Sequence, residues 1–317
     1  MTTRGVYIVA NDKVADNAIA LLSSLRLHDP DLPVVMIPFN DSHQQASSVL
    51  QRDYGVELFE DYVFLEDLTQ TIGEIFPKDF LALPNKMRKL AAWFGPLDEF
   101  LYIDTDILLF DSLNSTLDYF AQADFLCCDY HFKGRGLGDV FSPVVLEQQI
   151  FTETDVQDVF NSGFWGSKKS ALSLEQLYTR LKECAAHREY FDFSSGTTDQ
   201  PIMNYLVLKS IPRRLNLVKA NPNEPGSWGG TPHFQERDHR LYDGDRPLRY
   251  LHWAGTPMRP GGPYRQLWEY YRYRNHPEAR PAPQPPASSL SSWEKLLQRL
   301  KRTVKKAIKP SNQAANK

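Results

Sequence analysis

The chain is poor in sulfur and has no long apolar run. Its three cysteines, Cys127, Cys128 and Cys184, make no disulfide framework. Adjacent Cys127 and Cys128 close an apolar run and read as small core residues, which suits a reducing compartment. No stretch approaches the length of a transmembrane helix. Arg4 is followed only by Gly5-Val-Tyr-Ile-Val-Ala10, too short for the apolar region of a signal peptide. The Gly-x-Gly-x-x-Gly dinucleotide fingerprint is absent after the first predicted strand, and there is no P-loop. Any phosphate must therefore be met by side chains or by a metal. A net formal charge of −3 argues against a nucleic-acid partner, and internal repeats are absent.

Against these absences stands an ordinary globular composition: 317 residues, 42% hydrophobic and 24% charged, enough for a sizeable core. Gly5–Ala10 predicts a first strand, with Asn11-Asp12 as its terminating loop. Val14–Leu27 predicts a helix, from Ala18, Leu21, Leu22 and Leu25 at helical spacing. Pro33–Phe39 reads as a second strand, Ser42–Tyr54 as a second helix, and Val56–Leu65 contains a third short strand. This alternation implies a Rossmann-like, mostly parallel sheet flanked by helices, an α/β fold. Lys86–Phe94 reads as a helix stopped by Gly95-Pro96, Ala123–Cys128 as a strand, and Lys133–Leu146 as a mobile surface loop studded with Gly134, Gly136 and Gly138. Val159–Gly166 follows as a strand and turn, then helices over Leu172–Arg188 and Asp199–Leu208 and a short strand at Leu215–Lys219. Asn221–Asp245 reads as irregular, and Arg249–Gly255 as a last strand.

The stretch that carries chemistry is Phe100-Leu-Tyr-Ile-Asp104-Thr-Asp106-Ile-Leu-Leu-Phe110. It reads as one buried strand with two carboxylates inside it, which is costly unless something compensates their desolvation. Residues i and i+2 share a face, so at a strand's C-terminal end both acids can reach one divalent cation. Their hard oxygens suit Mg²⁺ or Mn²⁺, and His252, at the end of the last strand, is a candidate third ligand that shifts the preference toward Mn²⁺. Arg88 and Lys89 lie upstream and can meet phosphate charge. Asn161-Ser162-Gly163 and Asp199-Gln200 add polar groups after apolar runs. Each feature alone has a plainer reading: a capped strand end, a core histidine, a solvated lysine, a turn, a helix cap. Trp165, Trp228, Trp253 and Trp268 read first as core, with sugar stacking as the alternative.

Taken in order, the motifs resemble those of GT-A glycosyltransferases, closest to glycosyltransferase family 8. They are Val9-Ala10-Asn11, Lys89-Leu90-x-x-Trp93, Tyr102-Ile-Asp104-Thr-Asp106, Phe160-Asn161-Ser162-Gly163, Asp199-Gln200 with Asn204, and His252-x-x-Gly255, across roughly residues 5–265. The resemblance implies a metal-dependent, retaining hexosyltransferase that uses a nucleotide-sugar donor, UDP-linked by family default, and a glycan or glycolipid acceptor. It implies that Asp104, Asp106 and His252 hold Mn²⁺ (or Mg²⁺) on the donor diphosphate, and that Ala10 and Asn11 meet the base. By the same resemblance, Lys89 contacts diphosphate or sugar, Asp104 also touches ribose, and Thr105 is a further donor-binding residue. Asn161, Ser162 and Gly163 line the sugar pocket, Asp199 binds sugar hydroxyls, Gln200 lies near the anomeric carbon, and Gly255 lets backbone approach phosphate. One departure stands out: the family's clamp lysine is replaced by Met258, with Arg259 one place later as a substitute.

The expected organisation is a glycosyltransferase domain over 1–275, a Pro-rich linker over 276–289, a basic amphipathic helix over 290–309 and a disordered tail over 310–317. Residues 290–317 carry eight Lys/Arg against the single Glu294, leaving the body acidic. This pattern predicts an interfacial helix on anionic lipid, hence a cytoplasmic protein held peripherally at the inner face of a membrane. Three rival readings are weaker. A haloacid-dehalogenase-type phosphatase places its Asp pair at strand one, and a sugar-nucleotide pyrophosphorylase opens with a glycine-rich loop, absent here. A membrane-tethered nucleotide-sugar binder without turnover draws on the missing clamp lysine.

Overall fold

The computed structural model describes residues 2–127, 140–193, 198–220 and 227–281. The predicted helix 290–309, the glycines at 134, 136 and 138, and most of the 276–289 linker lie outside these residues. Unit one comprises Met1–Asn275 and unit two His276–Lys317. In unit two, a short 3-10 turn spans Pro277–Ala279, and His276 pairs with Glu278 at 3.2 Å. No helix among the described residues is long and apolar enough to cross a membrane.

Strands buried on both faces build the centre of unit one. The strands are β1 (Arg4–Ala10), β2 (Val34–Pro38), β3 (Glu57–Leu58), β4 (Glu99–Ile103), β5 (Ile107–Leu109), β6 (Phe125–Cys127), β7 (Phe164–Lys168) and β8 (Arg214–Asn216). All but β5 join one sheet in the order β3-β2-β1-β4-β7-β6-β8. Only β7 runs antiparallel to its neighbours. Tyr7, Phe100 and Tyr102 face one apolar cluster. Val6, Ile8, Leu101 and Ile103 face another, packed on the helix Ala15–His28. That helix is buried on nearly every side, since its Ala20 also joins a third cluster around Trp253 and Trp268.

Several elements depart from the sequence reading. Phe100–Phe110 is not one strand: β4 ends at Ile103, the chain turns through Asp104-Thr105-Asp106, and β5 leaves the sheet to pair with β12 (Tyr250–His252). An acid pair can sit in a turn at the sheet's edge without breaking a ladder. The segment Pro84–Phe94 is wound as a 3-10 helix rather than an α-helix. At three residues per turn, Met87, Leu90 and Trp93 align on one ridge, which suits a segment buried all round. The third-strand region shortens to two residues, and an α-helix begins at Tyr62, its first turn capped by Asp61 accepting from the Phe64 amide at 2.9 Å. Val140, Phe141 and Val145, expected in a surface loop, are core residues. The strand predicted over Leu215–Lys219 gives way to helix from Leu217. Within Asn221–Asp245, residues 221–226 lie outside the described set, 227–234 are irregular as expected, and the stretch from Gln235 is no loop. It begins a three-stranded meander of β9 (Gln235–Arg237), β10 (Arg240–Asp243) and β11 (Arg246–Pro247). The helix Arg265–Arg272 is a further element that the sequence reading omits.

Candidate metal centre

The C-terminal ends of β1 and β4 lie side by side in the sheet, and this edge gathers the candidate residues. Because β7 runs antiparallel to β4, its entry turn comes to the same edge, with Ile103 opposite Phe164. Asn161 Oδ1 accepts from the Gly163 amide at 2.9 Å, closing the turn, and the Gly163 carbonyl accepts from the Asp104 amide at 2.8 Å. Gly163 is required by close approach: a Cβ there would overlap His252 Cε1 and lie 2.8 Å from Asp104 Oδ2. The role read for it from sequence was the sugar pocket; here it presses on the acid–imidazole cluster.

His252 arrives by a separate device. The β5–β12 ribbon sets His252 opposite Ile107, and the Trp253 amide donates to the Asp106 carbonyl at 3.1 Å. His252 Nε2 then lies 3.2 Å from Asp106 Oδ1. One ligand atom each from Asp104, Asp106 and His252 fall within 4.8 Å of one another. Burial opposes charge on His252, but Asp106 and Asp104 outweigh it and raise its pKa. Burial likewise pushes Asp106 up, yet His252 prevails and its pKa is lowered. Asp104 is raised, by burial first and by Asp106, against the pull of Lys89. Two hard carboxylates and one imidazole, crowded until protons or a cation relieve them, fit a divalent ion of the Mg²⁺/Mn²⁺ type. Both carboxylate side chains keep 32% exposure while His252 keeps 4%, so the opening is on the oxygen side.

Behind the acids lies a closed network. Lys89 Nζ meets Asp199 Oδ2 at 2.8 Å, the Ser162 carbonyl at 3.1 Å and Asp104 Oδ1 at 3.5 Å. Ser162 Oγ donates to the same Asp199 oxygen at 2.8 Å. Burial works against the Lys89 charge, but Asp104 and Asp199 overcome it and raise its pKa; Asp199 is lowered despite burial because Lys89 and Ser162 hold its anion. The sequence reading put Lys89 on the donor, whereas its hydrogen-bonding partners here are protein groups. Arg88 corrects that reading outright. It is buried facing the other way, on Glu66, Thr69 and the Pro38 carbonyl, and cannot meet phosphate at this edge.

The remaining candidates are placed as follows. Asn11 is buried after β1, its Oδ1 capping the Lys13 amide and its Nδ2 on Asn40. Gln200 opens the helix Gln200–Ser210, its Oε1 accepting weakly from the Ser162 amide at 3.4 Å. Asn204 is structural, bonding both the amide and the carbonyl of Phe160. Thr105 sits in the turn between the two acids. Gly255 has φ +67°, a left-handed conformation that favours glycine. Met258 packs half-buried on the third cluster, and Arg259 is exposed. Of the weighed tryptophans, Trp165, Trp253 and Trp268 are core residues.

Sequence reasoning gave no role to Tyr102. Its hydroxyl donates to Asp104 Oδ1 at 2.6 Å, and its ring stacks on Trp165 at 5.3 Å with Lys89 above it. The signal was available: Tyr102 and Asp104 are i and i+2 at a strand end, on one face.

No family model matches the sequence and no curated protein matches it. Solved structures do. The bifunctional glycosyltransferase WbbM superposes with a TM-score of 0.58 at 14% identity, over 94% of this chain and 51% of its own. Mouse xyloside xylosyltransferase 1 gives 0.55 at 16% identity, over 80% and 99%. The galactosyltransferase LgtC, solved with donor and acceptor sugar analogues, gives 0.52 at 15% identity, over 88% and 98%. The chain therefore has the GT-A glycosyltransferase fold, and it spans about half the length of WbbM.

Proposed function

We propose that the protein is a metal-dependent, retaining glycosyltransferase that moves a hexose from a UDP-linked donor to a hydroxyl of a glycan or glycolipid. The observation that carries the reading is the Asp104–Asp106–His252 cluster at the C-terminal edge of a GT-A sheet. Asp104, Asp106 and His252 would hold Mn²⁺ or Mg²⁺, which when bound stabilises charge on a departing diphosphate without a protein acid. Asn11 and Ala10 flank the base, Asp104 the ribose with Thr105 as a further donor contact, and Asn161, Asp199 and Gln200 the hexose. Lys89 acts through Asp104 and Asp199, holding Asp199 anionic and opposing the rise of the Asp104 pKa from inside. In the transfer, the anomeric carbon–phosphate oxygen bond breaks while the acceptor oxygen bonds the same face, and its proton passes to the departing phosphate. Gln200 is too poor a nucleophile for a covalent intermediate.

A screen of nucleotide-sugar hydrolysis with and without Mn²⁺ tests this. UDP-hexose cleavage that needs Mn²⁺ and falls on the order of a thousandfold in Asp106→Ala is expected; cleavage unchanged by that substitution overturns the metal site. The second reading, a nucleotide-sugar binder without turnover, draws on Met258 packing inward where a clamp lysine is expected. Saturable donor binding with no hydrolysis or transfer would select it. The charge pattern of 290–309 further supports residence at the cytoplasmic face of an anionic membrane. Liposome flotation should be lost when 290–317 are deleted, and equal flotation of both forms refutes the tether.

A further inference from the structure

Trp228 departs from the other tryptophans of the described residues. It is 38% exposed, while Trp93, Trp165, Trp253 and Trp268 are all buried. Trp228 is also fixed. The His252 amide donates to the Ser227 carbonyl and the Gly229 amide to the His252 carbonyl, both at 2.8 Å, so Trp228 and His252 are partners in a parallel bridge. Bridge partners on strands about 4.8 Å apart present their side chains to one face. The Trp228 ring therefore stands on the side of this small ribbon that carries His252. Its Nε1 donates to the Ala254 carbonyl at 3.1 Å, which pins the edge of the indole along β12. Gly230 lies so close that a Cβ there would overlap the six-membered ring.

A rigid, part-exposed aromatic face costs little entropy to use and offers a flat apolar surface. On the face that carries His252, itself 3.2 Å from Asp106, the ligand chemistry that matches both the polar groups and the flat ring is a pyranose: polar hydroxyls at its rim, C–H groups on its faces. We propose that Trp228 is a sugar-stacking platform at the edge of the metal centre. The proposal rests on the glycosyl-transfer reading for the identity of its sugar, which is either the donor hexose or the terminal ring of the acceptor.

The test uses the full chain with Mn²⁺ and follows acrylamide quenching of tryptophan fluorescence, with Trp228→Phe identifying the quenchable component. Shielding by UDP-glucose or UDP-galactose beyond that given by UDP assigns the platform to the donor. Shielding by glucose, galactose or lactose added on top of UDP assigns it to the acceptor. Either result supports the proposal. Trp228→Ala should then raise the concentration of that sugar needed for half-saturation by about threefold to tenfold, with its thermal midpoint confirming that it folds. Shielding by UDP alone, or by nothing, together with unchanged half-saturation in Trp228→Ala, overturns it. The failures separate: saturable donor binding with no hydrolysis or transfer defeats the transfer reading, while saccharide shielding still reports on Trp228.

Discussion

Two halves of one acid cluster are handled in opposite ways. On the inner side, Lys89 and Asp199 are sealed, their side chains 6% and 14% exposed, and share Ser162 as a further partner. On the outer side, Asp104 and Asp106 keep about a third of their surface, and among the described residues they pair with Lys89 from behind and a titratable imidazole. The difference teaches what each half is for. A buried pair that is fully hydrogen-bonded holds geometry and loses heavily if one partner goes. A partly open pair of carboxylates suits a charge that comes and leaves.

The comparison breaks most sharply at Lys89. Replacing it by Met leaves Asp199 buried without its cation, and about 3–5 kcal/mol of stability should be lost in urea unfolding. The double change Lys89→Met/Asp199→Asn should recover a large part of it. Asp106→Ala, by contrast, should cost much less stability than Lys89→Met while removing Mn²⁺-dependent cleavage. Next in size is Gly163→Ala. The added methyl must displace His252 or Asp104, and overpacking of this kind costs about 1–3 kcal/mol; calorimetry should show the loss together with weaker Mn²⁺ binding.

A pH series sharpens the outer half. The raised pKa of His252 means that, without metal, its contact with Asp106 stabilises the fold below the ordinary histidine range and fades as pH rises through the raised value. Mn²⁺ needs the neutral ring, so its affinity should move the other way, falling by up to about tenfold per pH unit below that value. Electron paramagnetic resonance titrations at several pH values read this directly; affinity that is flat with pH would remove His252 from the ligand set. The smallest effect is expected at Tyr102. Tyr102→Phe keeps the ring stack but deletes the hydroxyl on Asp104, and Mn²⁺ binding should weaken by about threefold to tenfold with little change in thermal midpoint.

Much of this was legible beforehand because buried acids in an apolar run are expensive and so conspicuous. Asp104 and Asp106 announced themselves that way, and His252 followed from its place after a strand. What escaped was signalled by geometry rather than residue type. The break between β4 and β5 is invisible in an unbroken run of strand formers. The meander turns through Asp238 and His239, both at positive φ, without the glycine that usually marks such a hairpin. The helix Arg265–Arg272 starts from Tyr264 in a left-handed conformation with no side-chain cap, so its usual opening signature is missing. Arg88 and Lys89, adjacent in sequence, face opposite directions, which composition does not distinguish.

The β5–β12 ribbon has a consequence in time. Every other member of the cluster, from Asp104 to Asp199, precedes His252 in the chain, and the strand that delivers it is the last to pair with the rest of unit one. During synthesis the sheet can form around Asp104 and Asp106 while His252 is still unmade, and long-range pairing of this kind closes late. A shortened product ending before Tyr250 would carry both carboxylates without the imidazole. The ribbon thus ties the cluster to the late part of unit one: only a chain extended as far as β12 brings His252 to the two carboxylates.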